Sequence, residues 1–233
     1  MTQQASIGSV HQDGFSGWWR VYLGHRYAVL FYSLVLTLIL APILKAIGIA
    51  PNATQLFLGL NLLAATVPLE SRKGRWVLPA IVLVAIVLRI VSHQVGHEGF
   101  SALSLWLWTA IGLYAVFIAL RFALRSSSIT SEHLYAALSA YLLCGVFMGV
   151  LYWSLDQVWP NSIIVNGPGA SEPFLPGEGV YFSFITLATV GYGDMVPGND
   201  VVRNLAIVEA IAGQFYLAVM IARLMSLYMR EAK

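Results

Sequence analysis

The chain has 233 residues, of which 58% are hydrophobic and 10% are charged, and its formal net charge is +2. Soluble domains carry about 25% charged residues, so this composition is typical of a membrane protein, and the small net charge argues against nucleic-acid binding. The single cysteine, Cys144, excludes an intrachain disulfide and a zinc cluster of thiolates.

Six apolar segments approach or meet the length of a membrane-spanning helix, which is roughly 20 residues. They are predicted at residues 28–47, 54–69, 76–91, 102–120, 134–154 and 203–228. The second and third segments are short, and Asn61 interrupts the second. The sequence therefore predicts an all-α integral membrane protein with six transmembrane helices.

Basic residues predict the orientation of these helices, because Lys and Arg in short loops stay on the cytoplasmic side. They cluster before the first span, between the second and third, after the fourth and at the end of the last: Arg20, Arg26, Arg72, Lys73, Arg75, Arg121, Arg125, Arg223, Arg230 and Lys233. Lys45 and Arg89 fall at the opposite ends of spans one and three, where long side chains reach the interface. Six spans then predict a multi-pass protein of the plasma (inner) membrane, surrounded by lipids, with both termini in the cytoplasm.

The loop between the fifth and sixth spans differs from the others. Residues 155–178 are rich in Gly, Pro and Asn, which predicts an irregular turret. Residues 179–189 are apolar but too short to span, which predicts a helix that enters the membrane only halfway. The passage TLATVGYGDMVPG, residues 186–198, follows this short helix, and the last span follows the passage.

Irregular backbone at membrane depth is tolerated only where protein buries it or where it lines a water-filled cavity. Gly191 and Gly193 occupy alternate positions and allow positive φ, so a strand that contains them can turn successive carbonyl groups to one side. Several such strands around one axis would form rings of carbonyl oxygen that replace the hydration shell of a cation.

Residues 189–194 read TVGYGD, and on this motif the chain resembles the potassium channels of bacteria and eukaryotes. The resemblance includes the short helix before the motif and the long helix after it, roughly residues 131–230. It implies a re-entrant pore helix and a filter loop between helices five and six, in a homotetramer. The implied function is passive, potassium-selective conduction, with potassium ions in the filter, no organic cofactor and no enzymatic activity.

The resemblance also implies roles for single residues of the filter. Backbone carbonyl groups hold the potassium ions, and the Thr189 hydroxyl is a further ligand. The carbonyl groups are those of Thr189, Val190, Gly191 and Tyr192. Gly193 lets the chain leave the filter, Asp194 lies at the outer mouth, and the Tyr192 ring points away from the ions into surrounding packing.

The last span carries the predicted gate. In the family, the inner helix has a glycine about ten residues after its start, where it bends or packs closely, and Gly213 has this place. Helical spacing from Gly213 predicts that Gln214, Leu217, Ile221 and Met225 face the cavity. Gln214 would hydrate an ion below the filter, while the three apolar residues either form a hydrophobic constriction or only pack.

Glu209 is an isolated carboxyl group in an apolar helix, which is typical of a functional residue. It precedes Gly213 by one turn and is predicted either to brace the filter through hydrogen bonds or to make a structural polar contact. Some relatives use a carboxylate of the pore helix for this purpose, where this chain has Ile185. Gly145 and Gly149 on the fifth span form G-x-x-x-G, which predicts close helix packing.

Six spans with the pore between the last two is also the plan of voltage-gated channels, whose fourth span carries arginines at every third position. Residues 101–120 contain no Lys or Arg, so steep voltage dependence is not expected. The predicted organisation is a cytoplasmic or interfacial segment (1–26), a four-helix membrane domain (27–125) and a pore domain (126–233). The pore domain comprises an outer helix (134–154), a turret (155–178), a pore helix (179–189), a filter (189–194) and an inner helix (203–228).

Two other functions stay open on the sequence alone. One is a weakly selective cation channel, although such channels usually depart from the TVGYG motif. The other uses His93 and His97, which form H-x-x-x-H beside Glu98, as a metal site of an intramembrane metal-dependent enzyme or a metal transporter. Gly96 and Gly99 break the helical context and no third ligand is evident, so solvated loop histidines are the favoured interpretation.

Overall fold

Five helices and two short strands have defined bounds in the part of the chain that the structure describes. The computed structural model describes residues 25–48, 61, 84, 98–125, 130–166 and 173–231. The elements are α1 (Arg26–Ala46), α2 (Glu98–Arg125), α3 (Ser131–Val158), β1 (Ile163–Val165), α4 (Pro176–Leu187), β2 (Met195–Pro197) and α5 (Asp200–Glu231). Asn61 and Val84 are helical, and the rest of the predicted second and third spans lies outside the described residues.

Among the described residues, four helices are long and apolar enough to cross a membrane. The qualifying segments are Arg26–Leu44, Trp106–Leu124, Ser131–Val158 and Asp200–Arg223. They correspond to the predicted first, fourth, fifth and sixth spans. The chain is therefore a mostly helical membrane protein, as its composition predicts, and the count of six spans stays a prediction.

Helix α3 is the element against which α1, α2 and α4 pack. Two of its glycines allow the close approach of α4, because a Cβ on Gly145 would overlap the Phe184 ring and one on Gly149 would overlap the Val180 backbone. The close packing predicted from the G-x-x-x-G spacing is confirmed. It holds the short helix α4 against α3.

The helix bounds differ from the predicted ones because prolines and hydrogen bonds at the helix ends decide them, whereas the predicted bounds follow apolarity. Helix α3 runs over Ser131–Val158 rather than 134–154, and it ends shortly before Pro160, since proline disfavours helical backbone in the residue before it. Helix α4 runs over Pro176–Leu187 rather than 179–189. Proline is favoured at the first position of a helix, and the Leu175 N–H donates to Glu178 Oε2 over 2.7 Å.

Helix α5 runs over Asp200–Glu231 rather than 203–228. Asn199 caps its N-terminus, because its Oδ1 accepts a hydrogen bond from the Val202 N–H over 3.0 Å. Asp200 in the first turn adds a negative charge where the helix dipole favours one. With this cap, α5 begins three residues earlier in the sequence than the apolar pattern alone indicates, and therefore nearer to residues 189–194 along the chain.

The turret, predicted to be irregular over residues 155–178, contains a strand. β1 pairs with β2 in an antiparallel ribbon in which Ile164 lies opposite Val196 and Val165 opposite Met195. The prediction of an irregular loop is wrong for this segment, whose apolar β-branched residues favour a strand. The ribbon joins the turret to the chain that leaves residues 189–194.

Two hydrogen bonds away from the filter segment connect α1 and α2 with α3 and α5. At the start of α3, Glu132 Oε2 accepts a hydrogen bond from the Tyr27 N–H of α1 over 3.0 Å. Near the end of α5, the Arg223 guanidinium donates to the Leu124 carbonyl of α2. Helix α5 is thus attached to α4 through part of its length and to α2 near its C-terminus.

Candidate functional site

Residues 189–194, the filter segment, follow directly from the C-terminus of α4. Helix α4 has 12 residues and is therefore about 18 Å long, too short to cross a bilayer. Two filter amides bind back to it: the Ile185 carbonyl accepts hydrogen bonds from the Val190 N–H over 2.8 Å and the Gly191 N–H over 3.1 Å. The Thr189 N–H donates to the Thr186 carbonyl over 2.9 Å. The last turn of α4 therefore fixes where the filter segment starts.

Positive φ recurs at every second residue of the filter segment. φ is +57° at Thr189, +55° at Gly191 and +80° at Gly193, whereas Val190 and Tyr192 between them do not have positive φ. The sequence predicts positive φ at the two glycines; Thr189 was missed, although the two-residue spacing extends to it. A residue with a Cβ in this region costs of order 1–3 kcal/mol and persists only where its surroundings hold it. A strand in which the sign of φ alternates can turn successive carbonyl groups toward one side.

The described residues of the chain leave residues 189–193 of the filter segment exposed. The Tyr192 side chain is 72% exposed, and Val190 is also exposed. The packing that the resemblance implies around the Tyr192 ring is not provided by the described residues of the same chain. Any such packing has to come from outside these residues.

The outer end of the filter segment is held by two residues that the sequence analysis did not single out. Asn166, just after β1, donates from its backbone N–H to the Asp194 carbonyl over 2.7 Å and from Nδ2 to the Gly193 carbonyl over 3.2 Å. The Tyr181 hydroxyl of α4 donates to Asp194 Oδ2 over 2.9 Å, and this bond raises the pKa of Tyr181 above its ordinary value. Asp194 Oδ1 is buried and has no hydrogen-bond partner among the described residues.

The inner end of the filter segment meets α5. The Gln214 Nε2 group donates to Thr189 Oγ1 over 3.3 Å, so the predicted cavity residue touches one of the predicted ion ligands. Gly213 lies against α4 so closely that a Cβ on it would overlap the Leu187 carbonyl. Gly213 thus allows close helix packing, which is one of its two predicted roles, and bending at this position stays a prediction.

The described residues of the chain leave the remaining predicted gate residues exposed. Leu217, Ile221 and Met225 are all exposed, and so are Phe215 and Val219 on other faces of α5. Exposed apolar residues therefore lie on several faces of α5 and not only on the predicted cavity face. A constriction at these residues stays a prediction.

Glu209 is buried, with 3% of its surface exposed, between three helices. Its Oε1 accepts a hydrogen bond from the Ser183 hydroxyl of α4 over 2.5 Å, and its Oε2 accepts one from the Tyr152 hydroxyl of α3 over 2.7 Å. Glu209 is a residue that the sequence predicts to be functional, whereas neither of its partners is predicted. Ser183 could have been found as a lone polar residue between aromatic ones in a short apolar helix.

The histidines of the alternative metal site, His93 and His97, lie outside the described residues, and Glu98 is the first residue of α2. Within the described ranges, no group of three or more His, Cys, Asp or Glu side chains is placed to hold a metal ion. The alternative therefore gains no support from the described part of the chain.

Comparisons with known proteins point to ion conduction. Residues 136–230, from α3 to α5, match the model of a protein family described as "Ion channel". The chain is also 44% identical over 52 residues to "Potassium channel, subfamily K, member 16" of Mus musculus. That stretch is 19% of this chain and 18% of the mouse protein, so most of both chains is outside the match. No solved structure matches the chain. The region that contains the filter segment is therefore similar to ion channel domains, in a mostly helical chain with four described helices able to cross a membrane.

Proposed function

We propose that this ion channel domain conducts potassium selectively, through a pore lined by the carbonyl groups of residues 189–192. The observation that carries the proposal is the alternation of positive φ at Thr189, Gly191 and Gly193, in a segment tied to the end of α4. Neither feature is needed for an ordinary loop, since a turn needs positive φ at only one or two residues. The partial identity to a protein named as a potassium channel supports the choice of ion.

The chemistry follows from the polarity of the backbone. A potassium ion that leaves water needs oxygen ligands in place of its hydration shell, and carbonyl oxygens along one side of the strand supply them. The C-terminal end of α4 carries the partial negative charge of the helix dipole and lies beside the start of the filter segment, which favours a cation there. The Thr189 hydroxyl and the Gln214 amide, in contact over 3.3 Å, would meet the ion at the inner end.

One strand lines only one side of a pore, so we propose that four copies of the chain surround a common axis. The exposed Tyr192 ring and the exposed apolar residues of α5, including Ile207 and Ile211, support this assembly, because a second copy would cover them. Asp194 would then lie at the outer mouth, and Leu217, Ile221 and Met225 would line the inner cavity, where an apolar constriction can close by dewetting. The proposed topology has six spans, with α4 re-entrant and both termini cytoplasmic.

We do not expect steep voltage dependence. The described helix α2, Glu98–Arg125, has its arginines only at positions 121 and 125, in its last two turns. Moving one elementary charge across the membrane contributes about 2.3 kcal/mol per 100 mV, so a helix without a series of charges cannot make opening steep.

The test is the reversal potential of the purified protein in planar bilayers, with K⁺ on one side and Na⁺ on the other. A reversal potential near the K⁺ equilibrium value, with block by Ba²⁺, supports the proposal. Equal permeation of K⁺ and Na⁺ would instead identify a weakly selective cation channel. An absence of current, together with metal-dependent hydrolysis or metal uptake, would contradict ion conduction altogether.

A further inference from the structure

We infer that Glu209 is a positioning residue for the filter segment, which it holds in place through the Ser183 hydroxyl of α4. The inference rests on the proposed potassium conduction and assigns to one side chain of α5 the support that keeps the ion ligands in register. Glu209 touches no ion ligand itself; it acts on the helix from which the filter segment is suspended.

The burial of Glu209 is the first observation. Among the described residues, it is the only acidic residue that is buried as a whole. A carboxyl group removed from water is strongly destabilising unless hydrogen bonds compensate it. Both oxygens of Glu209 have such a partner, at 2.5 Å from Ser183 and 2.7 Å from Tyr152. Such an arrangement locks the relative positions of the groups that form it, because breaking either bond leaves a buried oxygen without a donor.

The direction of the Ser183 hydroxyl is the second observation. A serine or threonine in a helix commonly donates to the carbonyl four residues earlier. Ser154 does so to Val150 in α3, and Thr186 does so to Phe182 in α4 itself. Ser183, in the same helix as Thr186, instead donates across to Glu209 of α5. Its hydroxyl therefore connects two helices, where a back-bonded serine would connect none.

The third observation is the route from Ser183 to the filter segment. Ile185, two residues further along α4, supplies the carbonyl that accepts hydrogen bonds from both Val190 and Gly191. A shift of α4 relative to α5 would therefore move the amides of the filter segment. One turn beyond Glu209, Gly213 lies against the Leu187 carbonyl, so the same face of α5 follows α4 to its end.

Tyr152 completes the arrangement from α3. Its side chain is fully buried and its ring packs edge-on against Phe182 of α4, with 4.9 Å between ring centroids. Glu209 thus ties the outer, short and inner helices together at one point. The Ser183 bond acts on the helix that carries the filter segment, whereas the Tyr152 bond secures Glu209 to the surrounding scaffold.

Replacing Glu209 with glutamine separates these effects at little cost in packing. The amide has nearly the same shape, but its NH₂ group cannot accept a hydrogen bond, so one hydroxyl loses its acceptor. The Ser183 hydroxyl can turn to the Gly179 carbonyl of its own helix, as serine hydroxyls in helices commonly do, whereas the long rigid side chain of a tyrosine does not form this bond. In Glu209→Gln we therefore expect α4 to lose its tie to α5 while the protein still folds.

The experiment compares Glu209→Gln and Ser183→Ala with Asp200→Asn, which removes an exposed carboxyl group from the same helix. Two quantities are measured for each: the permeability ratio of K⁺ to Na⁺ in bilayers, and the K⁺ concentration that half-maximally raises the thermal stability of the purified protein. For both buried-site variants we expect the K⁺ midpoint to rise about tenfold, which corresponds to about 1.4 kcal/mol, and the permeability ratio to fall. Asp200→Asn should match the unmodified chain.

The double variant Glu209→Gln with Ser183→Ala tests the route itself. If Glu209 acts through Ser183, the double variant changes the K⁺ midpoint no more than either single variant. The reason is that each single variant already removes the same hydrogen bond, the one between Ser183 and Glu209. Additive changes would overturn the route through Ser183. Melting temperatures that fall while the permeability ratio and the K⁺ midpoint stay at the values of Asp200→Asn would show a purely structural role and overturn the inference.

Two further outcomes are separable. Should Glu209→Gln fail to fold, Ser183→Ala decides the question alone, since it removes one hydroxyl group and keeps both the Glu209 carboxyl group and its bond to Tyr152. If the unmodified chain shows no K⁺-selective current, the proposed function fails together with the inference. If the unmodified chain is K⁺-selective and the variants equal Asp200→Asn, only the inference fails.

Discussion

Replacing Gly191 with alanine tests whether the backbone of the filter segment performs the conduction. Gly191 has φ of +55°, and a Cβ there would have no heavy atom of the described residues within 4 Å. Gly177 in α4 has the same open space but no positive φ, and Gly48 after α1 has φ of +71° with open space. The three alanine variants therefore separate backbone conformation from side-chain volume and from position in the fold.

The expected magnitude follows from the backbone alone. A residue with a Cβ costs roughly 1–2 kcal/mol in the left-handed region, where glycine costs nothing. Gly191→Ala and Gly48→Ala should each lose about 1–2 kcal/mol per chain, and Gly177→Ala should not destabilise. In the proposed assembly of four copies, Gly191→Ala would accumulate about 4–8 kcal/mol at a single site. That is enough to depopulate the conducting arrangement by about a thousandfold or more.

The assay is K⁺ flux into proteoliposomes, paired with thermal unfolding of the same preparations. We expect Gly191→Ala to lose K⁺-selective flux, Gly48→Ala to conduct normally with a lower melting temperature, and Gly177→Ala to resemble the unmodified chain. Normal flux and normal selectivity in Gly191→Ala would refute the reasoning, since the strained backbone would then not be needed. Equal loss of flux in all three variants would also refute it, because position would not matter.

Three other changes probe the surroundings of the filter segment. Tyr181→Phe removes the hydrogen bond to Asp194, so we expect current to decline faster during sustained conduction, and an unchanged time course would count against this contact. Gly149→Ala places a Cβ into the Val180 backbone and should cost roughly 1–3 kcal/mol in thermal unfolding, with Gly177→Ala as its control; equal melting temperatures would exclude the close contact. Asn199→Ala removes the cap of α5 and should lower stability by about 1 kcal/mol without altering the permeability ratio, whereas altered selectivity would mean that the cap acts on the filter.

Much of the described fold was predictable because the bilayer imposes simple rules. Length and apolarity alone located α1, α2, α3 and α5, and a stretch too short to span located α4. The ends of the helices were less predictable from apolarity, because Pro176 and Asn199 act through local hydrogen bonding and not through hydrophobic pattern. Both residue types are start signals for helices, so they indicate these bounds where the apolar pattern does not.

The candidate site was likewise predictable only in part. Gly191 and Gly193 indicated an unusual backbone because glycine is favoured at positive φ, but Thr189 adopts the same φ without any mark in its residue type. Asn166 was unpredictable because it reaches the Gly193 carbonyl from a distant part of the chain. Such contacts depend on the pairing of β1 with β2, which short strands alone do not specify.

The sequence by itself determined that the chain enters a membrane, where its long helices lie, and that residues 189–194 have a backbone unlike the rest. These properties follow from composition and from the backbone preferences of single residues. Only the tertiary structure decided which polar groups meet: Glu209 is one acidic residue in an apolar helix until α3 and α4 bring Tyr152 and Ser183 to its two oxygens. The physical reason is that hydrogen-bond partners far apart in sequence are chosen by helix packing, which depends on the shapes of all the side chains between them.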